Sequence, residues 1–154
     1  AKMSGQAGAY DLFTPDAGEL AFLADETAPH PFYTRGFILH EERRVPELIG
    51  RAYAHENAAR WLLVKGEIDY LAGARGILES VAEPASAAME AMGGTGDTLT
   101  GLAAALVAYG MDVSRAAVLA ARVNRLAGSL ANPTPATQVV EIVERIPEAL
   151  ARLL

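Results

Sequence analysis

The sequence predicts an α/β domain with a small sheet and a helical carboxy-terminal half. An apolar run at residues 61–64 ends in Lys65 and Gly66, which is typical of a strand buried on both faces of a sheet. From Asp97 onward, apolar residues recur with the spacing of amphipathic helices. Hydrophobic residues make up 51% of the 154-residue chain and charged residues 21%, so the chain can bury a core.

Four short strands are predicted along the chain. The first covers residues 11–14 and ends at a proline, and the second is the apolar run at 61–64. Two further strands, at residues 70–72 and 77–79, are joined by a Gly-Ala-Arg-Gly hairpin loop. A brief strand or coil is predicted at residues 36–40, within an otherwise irregular segment.

Two helices are predicted in the amino-terminal half. The apolar spacing after the first strand predicts a short helix that begins near Gly18 or Glu19. Pro46 suits the first turn of a second helix, because proline lacks the N–H that such a position leaves unpaired. Residues 1–10 are small and polar, and we expect them to be poorly ordered unless they dock on the domain.

The carboxy-terminal half is predicted to be helical. One helix begins near Asp97 and closes at Gly110. A longer helix follows, with an apolar face formed by Ala116, Leu119, Ala120, Val123, Leu126, Ala127 and Leu130. Thr134 and Pro135 predict an N-cap and first residue of a last helix, and Pro147 is expected to kink or end that helix.

Composition narrows the classes of function. The chain carries 13 Lys and Arg against 19 Asp and Glu, a net charge of −6, which argues against a nucleic-acid-binding domain and a basic membrane-surface helix. Its apolar runs are shorter than the ~20 residues of a membrane span. It has no cysteine, hence no disulfide or thiolate metal site. Since the first residues also lack a signal-peptide core, we expect a cytoplasmic protein.

A glycine-rich turn at residues 92–98 is the strongest local feature. Three glycines and a threonine precede a well-patterned helix, whose first N–H groups have no intrahelical partners and attract phosphate. There Asp97 could accept a proton from a substrate hydroxyl. The alternative is an ordinary turn with Asp97 as helix cap. The motif is not a Walker loop, because no Gly-Lys-Ser/Thr follows.

Charged residues also follow the predicted strands. Lys65 is one of only two lysines and lies at a strand end, where ligands bind in open α/β sheets. Asp16, Glu19 and Asp69 could hold Mg²⁺ through water. The alternative for Lys65 is a surface lysine at a strand end, and the alternative for each carboxylate is a solvated loop charge or a cap. The three histidines lack the spacing of metal ligands, and the aromatic residues are scattered at core-like positions that predict no stacking platform.

Four segments together resemble one enzyme family. Residues 14–20 resemble the Thr-Pro-His-x-Gly-Glu motif of the ADP- or ATP-dependent NAD(P)H-hydrate dehydratases, and residues 63–69 resemble their Val-Leu-Lys-Gly strand end. Residues 93–101 resemble the Gly-Thr-Gly-Asp-x-Leu-x-Gly anion-hole motif, and residues 142–150 resemble the last helix of the family. The four segments occur in the order of the family.

The resemblance implies a fold, an activity and ligands. It implies a ribokinase-like α/β/α domain, related to the carbohydrate kinases, that uses ADP or ATP with Mg²⁺ to drive the dehydration of hydrated NAD(P)H. Asp97 would activate the substrate hydroxyl, and Glu19 would act near Mg²⁺ and the phosphates. By the same resemblance, the transferred phosphate would be held by Gly94, Thr95 and Gly96. The nucleotide site would be lined by Lys65, Gly66 and Asp69.

The chain also departs from the pattern of the family. It resembles only the carboxy-terminal half of a family domain, so we expect one truncated domain over residues 1–154, with an insertion at 25–44. Asp16 stands at the motif histidine, and Asn124-Arg125 replaces the usual His-Gly. These departures leave open whether the chain is an ADP- or ATP-dependent hydro-lyase, a related small-molecule kinase, or a non-catalytic structural or regulatory remnant. A sheet without its first strands has an exposed edge, which we expect a second copy to cover.

Overall fold

A computed structural model describes residues 1–25, 44–85, 87–90 and 92–154. The chain divides into two compact units, Ala1–Ser80 and Val81–Leu154, and each is described by itself. The strand or coil predicted at residues 36–40 lies outside the described residues, and so does the interior of the expected insertion at 25–44. Among the described residues, no helix combines the length and the apolar character needed to cross a membrane.

The first unit is built on a four-stranded sheet with the order β1-β2-β3-β4. The strands are β1 (Leu12–Phe13), β2 (Trp61–Val64), β3 (Asp69–Gly73) and β4 (Gly76–Val81), the last of which ends one residue beyond the unit. The strand β1 runs parallel to β2, whereas β3 runs antiparallel to it. The strands predicted in these four places are confirmed, and the hairpin loop between β3 and β4 contains only two residues.

Two helices, α1 (Ala17–Ala24) and α2 (Val45–Ala54), pack in the same unit. The first begins slightly before the predicted start because Asp16 caps it. Their apolar residues form a core with those of β2 and β3, which includes the fully buried Leu20, Ile49 and Leu62. The burial of the last three residues of β2 confirms the prediction that this strand is covered on both faces.

The amino-terminal segment is docked on the first unit. It forms two short 3₁₀ turns, Lys2–Ser4 and Ala7–Ala9, and buries Ala7. The ammonium group of Lys2 donates hydrogen bonds to the carbonyl oxygens of Phe22 and Asp25, and it lies 4.0 Å from the centre of the Phe22 ring. The pKa of this ammonium group is lowered, because the effect of burial exceeds the opposing effect of the nearby Asp25 carboxylate. These contacts provide the docking that the sequence left open.

The second unit is helical, as predicted. Its helices are α3 (Ala87–Glu90), α4 (Thr95–Ala108), α5 (Val113–Ala131), α6 (Val139–Val143) and α7 (Ile146–Leu153). The sequence did not predict α3, and α4 begins two residues before the predicted start. Gly128 lets α3 pack closely on α5, because a Cβ there would lie 1.7 Å from the Met89 sulfur. The core of this unit joins Met89 to Val123 and Ile142.

Two predictions for the last helix are wrong. Thr134 and Pro135 do not begin a helix, because the Thr134 N–H donates to the Thr137 hydroxyl at 2.8 Å and closes a turn. The helix α6 begins after Gln138, whose N–H donates to the Glu141 carboxylate in a capping box. Pro147 lies in the first turn of α7, so it helps to start this helix rather than to end the preceding one.

Candidate functional site

The carboxyl ends of the parallel strands β1 and β2 lie side by side in the sheet of the first unit. The Lys65 N–H donates to the Pro15 carbonyl at 2.8 Å, which extends the parallel pairing beyond the last residues of both strands. The segment 14–20 and the strand end at 63–66 are therefore neighbours. This confirms the placement of Lys65 after a buried strand, at the kind of edge where α/β sheets bind ligands.

The turn after Lys65 is held by Asp69. This carboxylate is only 5% exposed, and its Oδ1 accepts the Gly66 N–H at 3.2 Å. Asp69 also begins β3, so the same residue closes the loop and starts the next strand. The solvated loop charge that was the alternative interpretation of Asp69 is wrong, because the group is buried. Asp69 shapes the backbone next to Lys65.

The two carboxylates at the start of α1 form a reciprocal cap. Asp16 Oδ1 accepts the Glu19 N–H at 2.7 Å, and Glu19 Oε2 accepts the Asp16 N–H at 2.9 Å. The interpretation of Asp16 as a helix cap is confirmed. Glu19 uses one carboxylate oxygen for the cap. In the part of the chain that the structure describes, no cluster of three or more His, Asp or Glu side chains could enclose a metal ion.

The glycine-rich turn lies in the second unit and opens α4. Gly94 is the N-cap residue, with φ of 96°, and no side chain caps the helix. By helix geometry the N–H groups of Thr95, Gly96 and Asp97 lack intrahelical partners. A Cβ at Gly94 would lie 3.3 Å from the nearest Val139 methyl, so both the backbone angle and the neighbouring helix favour glycine here. The turn is thus an uncapped helix start with open backbone donors.

Side chains fix the shape of this turn. The Thr95 hydroxyl lies 3.2 Å from the carbonyl oxygens of both Met89 and Met92, to which it can donate, and this ties α4 to the preceding segment. Asp97 is exposed in the first turn and makes no capping hydrogen bond. Because the cap position belongs to Gly94, the alternative interpretation of Asp97 as the helix cap is wrong. An exposed carboxylate beside open N–H donors can accept a proton from a bound hydroxyl.

Asn124 on α5 also supports the turn, and its neighbour Arg125 contacts an earlier segment of the same unit; neither contact was predicted from the sequence. The Asn124 amide donates to the Thr95 carbonyl at 3.3 Å, and the Arg125 guanidinium donates to the Ala82 carbonyl at 2.9 Å. Both side chains are more than nine-tenths buried. Asn124 Oδ1 is buried and has no hydrogen-bond partner among the described residues. The available signal was a pair of polar residues inside the apolar stripe of a helix.

The chain is similar in sequence to one known family and to several known proteins. The sequence model of the family described as NAD(P)H-hydrate dehydratase matches residues 6–148. An uncharacterised protein of Methanocaldococcus jannaschii is 43% identical over 155 residues, covering 100% of this chain and 67% of that protein. A bifunctional NAD(P)H-hydrate repair enzyme of Hyperthermus butylicus is 42% identical over 92 residues, or 58% of this chain and 16% of the enzyme.

A third relative is named for its nucleotide. An ADP-dependent (S)-NAD(P)H-hydrate dehydratase of Haloterrigena turkmenica is 34% identical over 101 residues, which are 64% of this chain and 38% of that enzyme. The matched segments thus span about two thirds of the Methanocaldococcus protein but only 16% and 38% of the two enzymes. No solved structure matches the chain.

Proposed function

Since the chain belongs to the NAD(P)H-hydrate dehydratase family, we propose that it binds ADP or ATP and takes part in the dehydration of hydrated NAD(P)H. The observation that carries this proposal is the uncapped start of α4 at Gly94. Its open N–H groups and the positive end of the helix dipole attract a phosphate group. Glycine at this position keeps the backbone accessible to the phosphate oxygens.

Asp97 is the proposed general base. In the proposed reaction it accepts the proton of the substrate hydroxyl while the hydroxyl oxygen forms a bond to the terminal phosphorus of the nucleotide. The bond between that phosphorus and its bridging oxygen breaks, and the shortened nucleotide leaves with the electron pair. The C–O bond of the phosphorylated hydrate then breaks as a ring proton is lost, which yields NAD(P)H and phosphate. Exposure of Asp97 next to open N–H groups supports this role.

Asn124 holds the glycine-rich turn in place in this proposal. Its amide donates to the Thr95 carbonyl, so it fixes the first residue of α4 and the direction of the neighbouring N–H groups. The amide orientation follows from this contact, because a flipped side chain would place two oxygens against each other. The unpaired Oδ1 remains available to a water molecule or a ligand donor.

Lys65, Gly66 and Asp69 are the proposed nucleotide-contacting group of the first unit. The ammonium group of Lys65 supplies a point charge for phosphate oxygens, while Asp69 holds the Gly66 backbone in place. Mg²⁺ usually keeps several waters and binds through one or two carboxylates and substrate phosphates. The free oxygen of Glu19 fits such an indirect contact, and the ion would neutralise charge on the phosphates.

Calorimetric titration with ADP, ATP and AMP, with and without Mg²⁺, tests the proposal. We expect saturable binding of ADP or ATP, and a loss of about tenfold in affinity in Lys65→Gln, the equivalent of about 1.4 kcal/mol. Arg51→Gln removes an exposed positive charge from α2 in the same unit and is expected to leave the affinity unchanged. If none of the nucleotides binds the unaltered protein, the chain is a non-catalytic remnant of the fold and the proposal fails.

A second copy of the chain is the proposed partner at the edge of the sheet. Within the described residues, β1 is an edge strand of the sheet and pairs with β2 alone. An edge strand presents N–H and C=O groups that another chain can pair with, and a two-fold dimer is the simplest closed arrangement. Light scattering at micromolar concentration is expected to give the mass of a dimer, and a monomer mass would contradict this.

A further inference from the structure

We propose a second ligand site at the opposite end of β2 from Lys65, for a ligand that combines a flat aromatic ring with a phosphate group. An open cavity of about 360 Å³ lies there. It is lined by Arg60 and Trp61 at the start of β2, by residues 73–76 of the hairpin, and by Leu78 of β4. This volume is near the lower end of the ~300–1,000 Å³ typical of small-molecule sites, so one ring with one phosphate suits it.

The apolar wall of the cavity is shaped by glycine. A Cβ at Gly73 would lie 2.9 Å from the Trp61 ring and 3.6 Å from the Leu78 side chain. Glycine thus lets the indole lie directly against the β3 backbone, next to Leu78. The only tryptophan of the chain is partly buried in this way and borders an open space, which suits stacking of a second aromatic ring.

The charges of the cavity fit a phosphate. The two ionisable side chains in its lining, Arg60 and Arg75, are both positive, in a chain with a net charge of −6. Both arginines are exposed, and neither guanidinium forms an ion pair or a hydrogen bond within the described part of the chain. Unpaired guanidinium groups bind phosphate oxygens through two parallel hydrogen bonds. Two such groups beside an aromatic wall favour a ring that carries a phosphate over a neutral ring.

This site is distinct from the one in the proposed function. Trp61 is the first residue of β2 and Lys65 follows its last residue. The two residues are four positions apart along the strand direction, or roughly 13 Å at about 3.3 Å per residue. The cavity is lined by none of the residues assigned to catalysis or nucleotide binding, so ligand binding there is independent of the proposed function.

Phenyl phosphate is the probe that tests this site. We expect saturable binding by calorimetry, accompanied by a change in tryptophan fluorescence, which reports on Trp61 alone. Inorganic phosphate and phenol each provide one half of the chemistry and are expected to bind at least about tenfold more weakly, since each lacks about 1.4 kcal/mol or more of the interaction. Equal affinity for inorganic phosphate would overturn the aromatic part of the proposal, and no saturable binding of phenyl phosphate would overturn all of it.

Three variants locate the binding. Arg60→Gln and Arg75→Gln are exposed substitutions, and each is expected to weaken phenyl phosphate binding about tenfold. Arg115→Gln makes the same change of charge at an exposed position in the second unit and is expected to leave the affinity within about twofold. If all three variants bind alike, the phosphate contact is elsewhere and the proposal is wrong. Circular dichroism of each variant verifies that the fold is retained.

Discussion

The two units position their candidate residues in different ways. In the first unit, Lys65 lies at the end of a strand, and its position follows from a backbone hydrogen bond to Pro15 and from the hydrogen bond between Asp69 and Gly66. In the second unit, the turn at Gly94 lies at the start of a helix, and it is fixed by the Thr95 hydroxyl and by a side chain from another helix.

This difference determines how each unit responds to substitution. A strand end is positioned by the register of the sheet, so most side chains near it can change without moving the backbone. The helix start depends on one glycine with a positive φ and on a side chain 29 residues away in sequence. Single substitutions in the second unit are therefore expected to have larger effects on the candidate site than substitutions in the first unit.

Asp97→Asn is expected to have the largest effect on activity. Asparagine keeps the size of the side chain but cannot accept a proton, so turnover of hydrated NADH with ADP or ATP should fall by about 10²–10⁴-fold. Affinity for ADP should be retained or increase, because a negative charge near the phosphates is removed. Stability should change by less than about 1 kcal/mol, the usual size of the interaction between an exposed first-turn carboxylate and the helix dipole.

Glu144→Gln is the matched control for this variant. It removes an exposed negative charge elsewhere in the second unit, and it is expected to leave turnover and ADP affinity unchanged. Equal turnover in Asp97→Asn and the unaltered protein would exclude Asp97 as the base, even if ADP still binds.

Gly94→Ala is expected to show the sensitivity of the helix start. Alanine at a φ of 96° is strained and would contact Val139 at 3.3 Å, so the free energy of unfolding should fall by about 1–2 kcal/mol. Amide hydrogen exchange should increase in the first turn of α4, and ADP affinity should decrease. Gly93→Ala is the control: among the described residues beyond its chain neighbours, no atom lies within 4 Å of the added Cβ, so a change within about 0.5 kcal/mol is expected. Equal losses in both variants would show that φ at Gly94 does not control the turn.

Tyr53→Phe tests the first unit and is expected to have the smallest effect. The half-buried Tyr53 hydroxyl donates to the Ala72 carbonyl of β3 at 3.0 Å, and its loss should cost about 1 kcal/mol near neutral pH. Hydrogen exchange should increase in β3, while ADP affinity stays the same. A loss of ADP affinity in Tyr53→Phe would contradict the expectation that substitutions elsewhere in the first unit leave the strand end at Lys65 unchanged.

The same residue predicts a dependence of stability on pH. Burial raises the pKa of Tyr53 to about 12, above the value of about 10 in the unfolded chain. Between these values the folded protein holds the proton and the unfolded chain does not, so stability should fall as pH rises from about 10 to about 12. Below about pH 10 the contribution is fully present. Denaturant titrations at several pH values should show this fall in the unaltered protein and a smaller one in Tyr53→Phe.

Strong local patterns predicted most of the elements. The apolar run predicted β2, because a strand buried on two faces needs consecutive apolar residues. Apolar residues at helical spacing predicted α5, and the fixed φ of proline predicted the first turn of α2. The Gly-Thr-Gly-Asp segment likewise indicated a helix start, which was predicted near Asp97 and lies two residues earlier, at Thr95. The short helix α3 could not be predicted, since it is held by Met89 packing on Gly128, a contact between residues far apart in sequence.

The sequence by itself determined the fold class, the family and the motifs at Lys65 and Asp97, since these depend on residue type, spacing and short-range order. Only the tertiary structure decided that Gly94 rather than Asp97 caps α4, that Pro147 starts a helix and that Asn124 reaches Thr95. It also decided that Trp61 borders a cavity with two arginines that form no ion pair within the described residues. Several neighbouring residues could begin each helix, and packing selects among them. This selection decides which residue caps α4 and whether Pro147 starts or ends a helix. The other two depend on side chains that the chain brings together across helices and strands, where no local pattern records the contact.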